Sequence, residues 1–348
     1  MLLGEEVQAM GTVERNETGA AGLAARYQDY FDIGAAVNLT TIKSQRDLLA
    51  QHYNSITAEN DMKFERLQPE EGHYTFEAAD RIAAFAEEHG MKLRGHTLVW
   101  HNQTPEWVFK GKDGQTAGRE LLLSRMKFHI DRVVGRYKGR AYAWDVVNEV
   151  IEDKSDIWLR SSPWLDILGE DFIAEAFRCA HEADPEAVLF YNDYNESDPV
   201  KRDKIIRLLR SLKEKDVPVH GMGMQGHWNL NGPSLEEIRA AIEGYASLGL
   251  QVQITELDIS VFDFEDRRTG LVRPTAEMEE KQSERYDAVF RLLREYKDVI
   301  TAVTFWGAAD DYTWLNDFPV RGRKNWPFVF DEKHEPKSSF WRIADWEE

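Results

Sequence analysis

The chain is expected to fold as an α/β protein of the (β/α)8 TIM-barrel class, on three features of its sequence. Eight short runs of strand composition recur along it, amphipathic stretches of helical spacing separate them, and no linker or low-complexity segment interrupts the alternation after about residue 24. With 348 residues, 42% of them hydrophobic, the chain can enclose such a core as one domain. An open doubly wound sheet has the same alternation. It usually advertises a glycine-rich phosphate turn after its first strand, whereas Gly34-Ala35-Ala36-Val37-Asn38 supplies a single glycine.

Residues 1–24 are rich in Gly, Ala, Glu and Thr without periodicity and read as a tail or a short leading helix, leaving 25–348 as one (β/α)8 domain. The strand-like runs cover 31–37, 55–60, 92–100, 141–149, 188–194, 221–227, 252–258 and 302–307. Between them, stretches such as 78–87 and 204–212 repeat apolar residues at helical spacing. Pro185 and Pro218 fall just ahead of strands, where they stop a helix without removing a central ladder donor. Ser234 with Glu237 three residues on reads as a capping box, and Gly249 as the terminator of that helix.

Composition narrows the function. Lys and Arg total 43 against 62 Asp and Glu, a formal net charge of -19 that repels phosphate backbones and anionic membranes, so neither nucleic acid nor a membrane is an expected partner. No apolar stretch approaches the roughly 20 residues needed to span a bilayer. The start, Met-Leu-Leu-Gly-Glu-Glu, carries acids where a secretory signal places lysines, and Cys179 is the sole cysteine and reads as a helix-packing residue. A reducing, cytoplasmic location is therefore expected. His96 and His101 lack the spacing of a zinc protease, no cysteine cluster exists and no Gly-x-Ser-x-Gly elbow occurs, so neither metal nor cofactor is expected. Oligomeric state is not legible in these features.

In a parallel barrel the working residues project from the carboxyl ends of the strands. Two glutamates, Glu149 and Glu256, close apolar runs there, and a buried strand gains nothing from a carboxylate at its tip unless that group does chemistry. Reading the strand ends in order adds Glu59 and Asn60, His96 and Trp100, Asn148, Tyr191 to Asp193, Gln225 and His227, Asp258, and Trp306. The 11 tryptophans, 12 tyrosines and 17 phenylalanines exceed what packing needs, and flat aromatic faces beside hydrogen-bonding groups suit a sugar ring.

Five segments make the reading specific: Thr57-Ala58-Glu59-Asn60-Asp61-Met62-Lys63, Arg94-Gly95-His96-Thr97-Leu98-Val99-Trp100-His101-Asn102-Gln103-Thr104-Pro105, Trp144-Asp145-Val146-Val147-Asn148-Glu149, Gly223-Met224-Gln225-Gly226-His227-Trp228 and Ile254-Thr255-Glu256-Leu257-Asp258. In this order, over about residues 31–341, the chain resembles glycoside hydrolase family 10, the endo-β-1,4-xylanases, and in lacking a signal sequence it resembles the intracellular branch that trims xylo-oligosaccharides. The resemblance implies a retaining mechanism with Glu256 as nucleophile and Glu149 as acid and then base, supported by His227, Asp258 and Asn148. It further implies that Lys63, His96, Gln225, Trp100 and Trp306 surround the sugar at the cleavage point. Glu59, Asn60 and Gln103 would hold the next sugar, Trp314 would close over it, and Tyr191 would lie on the reducing-end side. Asp145 is expected to act behind these residues, and Lys63 has an alternative reading as a partner of Glu59. A β-1,4-glucan hydrolase of the same mechanism and an inactive sugar-binding protein are the competing readings.

Overall fold

The structure, a computed structural model, describes residues 22–346. Its strands are β1 (Asp32–Val37), β2 (Ser55–Ala58), β3 (Lys92–Val99), β4 (Ala141–Asn148), β5 (Val188–Asp193), β6 (Gly221–Met224), β7 (His227–Asn229), β8 (Gln251–Ser260) and β9 (Ile300–Phe305). All pair in parallel. The order β6-β5-β4-β3-β2-β1-β9-β8 closes on itself through a β6–β8 pairing, so eight strands form the barrel expected from the alternation.

The short strand β7 lies outside that ring and was not expected. The run 221–227 reads as one strand but breaks at Gly226, whose φ of +77° is left-handed and where a Cβ would come within 2.8 Å of Ile254. The chain resumes as β7 against a continuation of β8, pairing His227 with Asp258 and Asn229 with Ser260. This displaced pair of strands sets one wall of the mouth.

Helices cover the barrel as their periodicity requires. The helix Glu77–Glu88 buries Ala79, Ile82, Ala83, Phe85 and Ala86, a stripe at three- and four-residue spacing. Pro199–Glu214 starts with proline in its first turn and is capped by Asp198, which accepts from the N–H groups of Val200 and Lys201. The capping box of Ser234 and Glu237 is formed in both directions. Gly249, at φ +71°, returns its N–H to Ala246 beyond the end of that helix. Cys179 is buried on the packed face of Phe172–Ala183.

Of the segment 1–24, residues 1–21 lie outside the described residues. Leu23 opens a single helical turn, Leu23–Arg26, and is fully buried. Arg26 donates to the carbonyl of Ala344 and Tyr27 to that of Ile343, tying this turn to the last helix, Ser338–Ala344.

The barrel lumen holds charge. Arg94, fully buried on β3, forms a bidentate pair with Asp145 on β4 at 2.5 and 2.6 Å and reaches Gln253 on β8 at 2.8 Å. His96 meets the same Asp145 through Nδ1 at 2.8 Å. The ion pair thereby fixes a histidine at the floor of the mouth. No helix among the described residues is long and apolar enough to cross a membrane.

Candidate active site

Glu149 follows β4 directly and sits at φ +59°, a left-handed conformation that costs a non-glycine residue roughly 1–3 kcal/mol unless its surroundings impose it. Its N–H donates to the carbonyl of Asn192 on β5 at 2.9 Å. Glu256 lies inside β8 rather than at its end, a correction to the sequence reading, because β8 runs on to Ser260 against β7.

A short chain of amides joins the two acids. Gln225 donates to Glu149 Oε1 at 2.9 Å, and Trp100 donates its indole N–H to Oε2 at 2.8 Å. Gln225 also reaches Asn148 at 3.4 Å, and Asn192 bridges Asn148 at 2.9 Å and Glu256 Oε1 at 2.8 Å. The ionised carboxylate of Glu256 can only accept, so the amide nitrogen of Asn192 is the atom that faces it, which leaves Asn192 Oδ1 to accept from the Thr255 hydroxyl at 2.6 Å. Asn148, Gln225 and Glu256 are buried at the floor, while Glu149 and Trp100 are partly open.

The acids are held differently. Burial pushes the Glu149 carboxyl up, the charge of Asp193 adds to this, and the bonds from Gln225 and Trp100 only partly oppose it. Burial also acts against a charged Glu256. There, the hydrogen bond from His227 and the charges of His96 and His227 prevail and hold its pKa below the ordinary glutamate value. His227 stands 3.0 Å from Glu256 through Nε2 and 2.9 Å from Asp258 through Nδ1. Burial disfavours its charge, but the two carboxylates dominate and push its pKa up to about 10, so both ring nitrogens donate at neutral pH. Trp314 donates to the same oxygen of Asp258 at 2.8 Å and lies 4.9 Å from the His227 ring. Trp306 meets His96 edge-on at 5.2 Å, and His96 Nδ1 is 4.0 Å from Glu256.

A second group lies at the ends of β2 and β3. Lys63 bonds Asn60 at 3.0 Å and Gln103 at 2.9 Å, rather than pairing with Glu59. Its ammonium stands 4.8 Å above the Trp100 ring, which links this group to Glu149. Burial lowers the Lys63 pKa against the opposing pull of Glu256, Glu59 and Glu149. Glu59 instead accepts from Asn38 at 3.1 Å and from the Tyr312 hydroxyl at 2.9 Å.

Tyr191 requires a correction. Its side chain is fully buried and its hydroxyl is engaged by Asp193, Val150 and Ile151, so it presents no surface to the mouth. Three residues on, Tyr194 is partly exposed, with the Lys201 ammonium 3.6 Å behind its ring and Arg160 bonded to its hydroxyl at 2.5 Å. Sequence reasoning missed Tyr194, Arg160 and the bridging role of Asn192. The signal present was the cluster Tyr191-Asn192-Asp193-Tyr194 at a strand end, whose members alternate between barrel and mouth.

Among the described residues, no group of three or more His, Cys, Asp or Glu side chains is disposed to hold a metal ion. The arrangement offers instead two carboxyl groups with opposed proton affinities, amide and imidazole donors around them, and tryptophans on the sides.

Comparisons with known proteins give the family of the chain. An endo-1,4-beta-xylanase B from Paenibacillus barcinonensis is 62% identical over 94% of this chain and 98% of its own length. An endo-1,4-beta-xylanase from Geobacillus stearothermophilus is 60% identical over 90% of this chain and 95% of its own. The crystal structure of xylanase XynB from Paenibacillus barcinonensis with a conduramine derivative superposes with a TM-score of 0.93 at 61% identity, covering 94% of this chain and 99% of that one. The model of glycosyl hydrolase family 10 matches residues 22–346, and the chain belongs to that family.

Proposed function

We propose that this protein is a retaining endo-β-1,4-xylanase acting on xylan fragments and xylo-oligosaccharides, with Glu256 as nucleophile and Glu149 as acid and then base. The observation that carries the assignment is the opposed setting of the two glutamates within one hydrogen-bonded network, one raised and one lowered. Cleavage of an acetal by double displacement needs a carboxylate that is charged and a carboxylic acid that is not.

In the first step Glu256 attacks the anomeric carbon while Glu149 protonates the leaving oxygen. The glycosyl-enzyme ester carries no charge at Glu256, and that charge is one of the influences raising Glu149. Its removal eases proton loss from Glu149, which then takes the proton of the attacking water. His227, charged and backed by Asp258, donates to Glu256 and receives it as leaving group in the second step. Asn148 is assigned to the sugar 2-hydroxyl, its side-chain amide standing 2.9 Å from that of Asn192. His96, Lys63, Gln225, Trp100 and Trp306 surround the same sugar.

Glu59, Asn60 and Gln103 are assigned to the next sugar toward the non-reducing end. Trp314, anchored to Asp258, leaves little room there for a hydroxymethyl group, which favours xylose over glucose. Tyr194 takes the reducing-end role first assigned to Tyr191, since its ring is the one that reaches the surface. A cytoplasmic location is part of the proposal, supported by the single, buried cysteine, and fractionation of cells producing the protein tests it.

The test of function is hydrolysis of xylohexaose with the first product followed by NMR. Initial release of the β-anomer is expected, and initial α-anomer would contradict retention. Glu256→Ala is expected to abolish turnover; faster cleavage of aryl cellobioside than of aryl xylobioside by the wild type would replace xylan by β-1,4-glucan.

A further inference from the structure

A glutamate that must deliver a proton to a glycosidic oxygen stands on a backbone, at φ +59°, that such a residue rarely adopts. Four polar main-chain groups at and just after it are held. The Glu149 N–H donates to Asn192, and its carbonyl accepts from Arg160 Nε at 3.0 Å. The next two N–H groups, of Val150 and Ile151, both donate to the Tyr191 hydroxyl, at 3.2 and 3.3 Å.

That hydroxyl has one proton and two lone pairs. Both lone pairs are taken by the two N–H groups, so its proton is the one shared with Asp193 Oδ2. The other oxygen of Asp193 receives the Tyr194 N–H at 2.9 Å and the buried ammonium of Lys201 at 2.9 Å. Lys201 in turn reaches Asp153 at 2.9 Å. A fully buried carboxylate and ammonium are costly to maintain when packing alone is at stake, and a phenylalanine would fill the space of the Tyr191 ring equally well. What the hydroxyl adds is its set of bonds to the turn after Glu149.

We propose that Tyr191, Asp193 and Arg160 are positioning residues that clamp the left-handed turn at Glu149 and so aim its carboxyl at the leaving oxygen. The inference rests on the reading of Glu149 as acid and base. Asp193 fixes which way the Tyr191 hydroxyl points, Tyr191 holds the chain just after the acid, and Arg160 holds the carbonyl of the acid itself. None of the three touches the reacting atoms through this network.

The experiment compares kcat/KM on two aryl β-xylobiosides, one with a phenyl leaving group that needs a proton and one with a 2,4-dinitrophenyl group that leaves without one. A misaimed acid harms only the first. Tyr191→Phe is expected to lower kcat/KM on the phenyl substrate by about tenfold or more, and to leave the dinitrophenyl value within about twofold of wild type. Equal losses on both substrates, or no loss on either, would overturn the clamp. Arg160→Met, at a partly exposed residue, is expected to give the same split and decides the matter if the buried substitution fails to fold. Wild-type enzyme unable to cleave either xylobioside would instead sink the assignment of function.

Discussion

The indole nitrogen of Trp100 stands 2.8 Å from Oε2 of Glu149 and donates its proton to it. A hydrogen bond to a carboxylate favours the charged form, and here it works against burial, the main influence raising this acid. Trp100→Phe keeps the ring and removes the donor. The Glu149 pKa then rises further, and the alkaline limb of the kcat/KM profile against pH moves to higher pH. An unmoved or lowered limb would contradict the role of Glu149 as acid.

His227 governs the other limb. Its hydrogen bond and charge hold Glu256 below the ordinary value, so a glutamate deprived of them titrates at higher pH. His227→Ala is expected to shift the acid limb of kcat/KM upward and to lower kcat by about tenfold or more. The pH profile of the purified variant is the check, with loss of rate but no shift counting against the assignment.

Stability should depend on the lumen pair. Asp145→Asn leaves Arg94, fully buried, without its charge partner, while the shape of the side chain is kept. The expected loss is about 3–5 kcal/mol, the usual penalty for an uncompensated buried charge. Urea unfolding at neutral pH measures it; a loss below about 1 kcal/mol would mean that water or other groups already solvate Arg94.

Glu196 provides a pH-dependent test. It is buried and accepts from the indole of Trp228 at 3.1 Å, and burial pushes its pKa up to about 7. A carboxyl raised in the folded state binds more protons there than in the unfolded chain. Its contribution therefore weakens as pH rises from about 4.5 to about 7, and the full penalty remains above that. Glu196→Gln keeps an acceptor for Trp228 and cannot charge. It should match wild type near pH 4 and exceed it by on the order of 3 kcal/mol at pH 8. Denaturant melts at both pH values check this, and a pH-independent difference would refute it.

Much of the fold was legible because its signals are local. The stripe on Glu77–Glu88, the cap at Ser234 and the stop at Gly249 each depend on residues within about four positions of one another. Strand composition is equally local, so the eight barrel strands could be read with errors of one to three residues at their ends. The split at Gly226 was not legible, since β7 forms only where β8 overruns the barrel and offers an edge. The direction of Tyr191 was not legible either. The β4–β5 pairing slips between Asp145 and Val147, so alternation along β5 alone does not tell which residue faces the mouth.

From the sequence by itself came the alternation of strand and helix, the family likeness, and the two glutamates with their neighbours Asn148, His227 and Asp258. Only the tertiary structure decided which groups push the two acids in opposite directions, the partners of Lys63, and that Tyr191 is buried while Tyr194 reaches the surface. The physical reason is range. Periodicity and capping act between near neighbours in the chain, whereas burial and charge act through space between residues that meet only when the ring of strands closes.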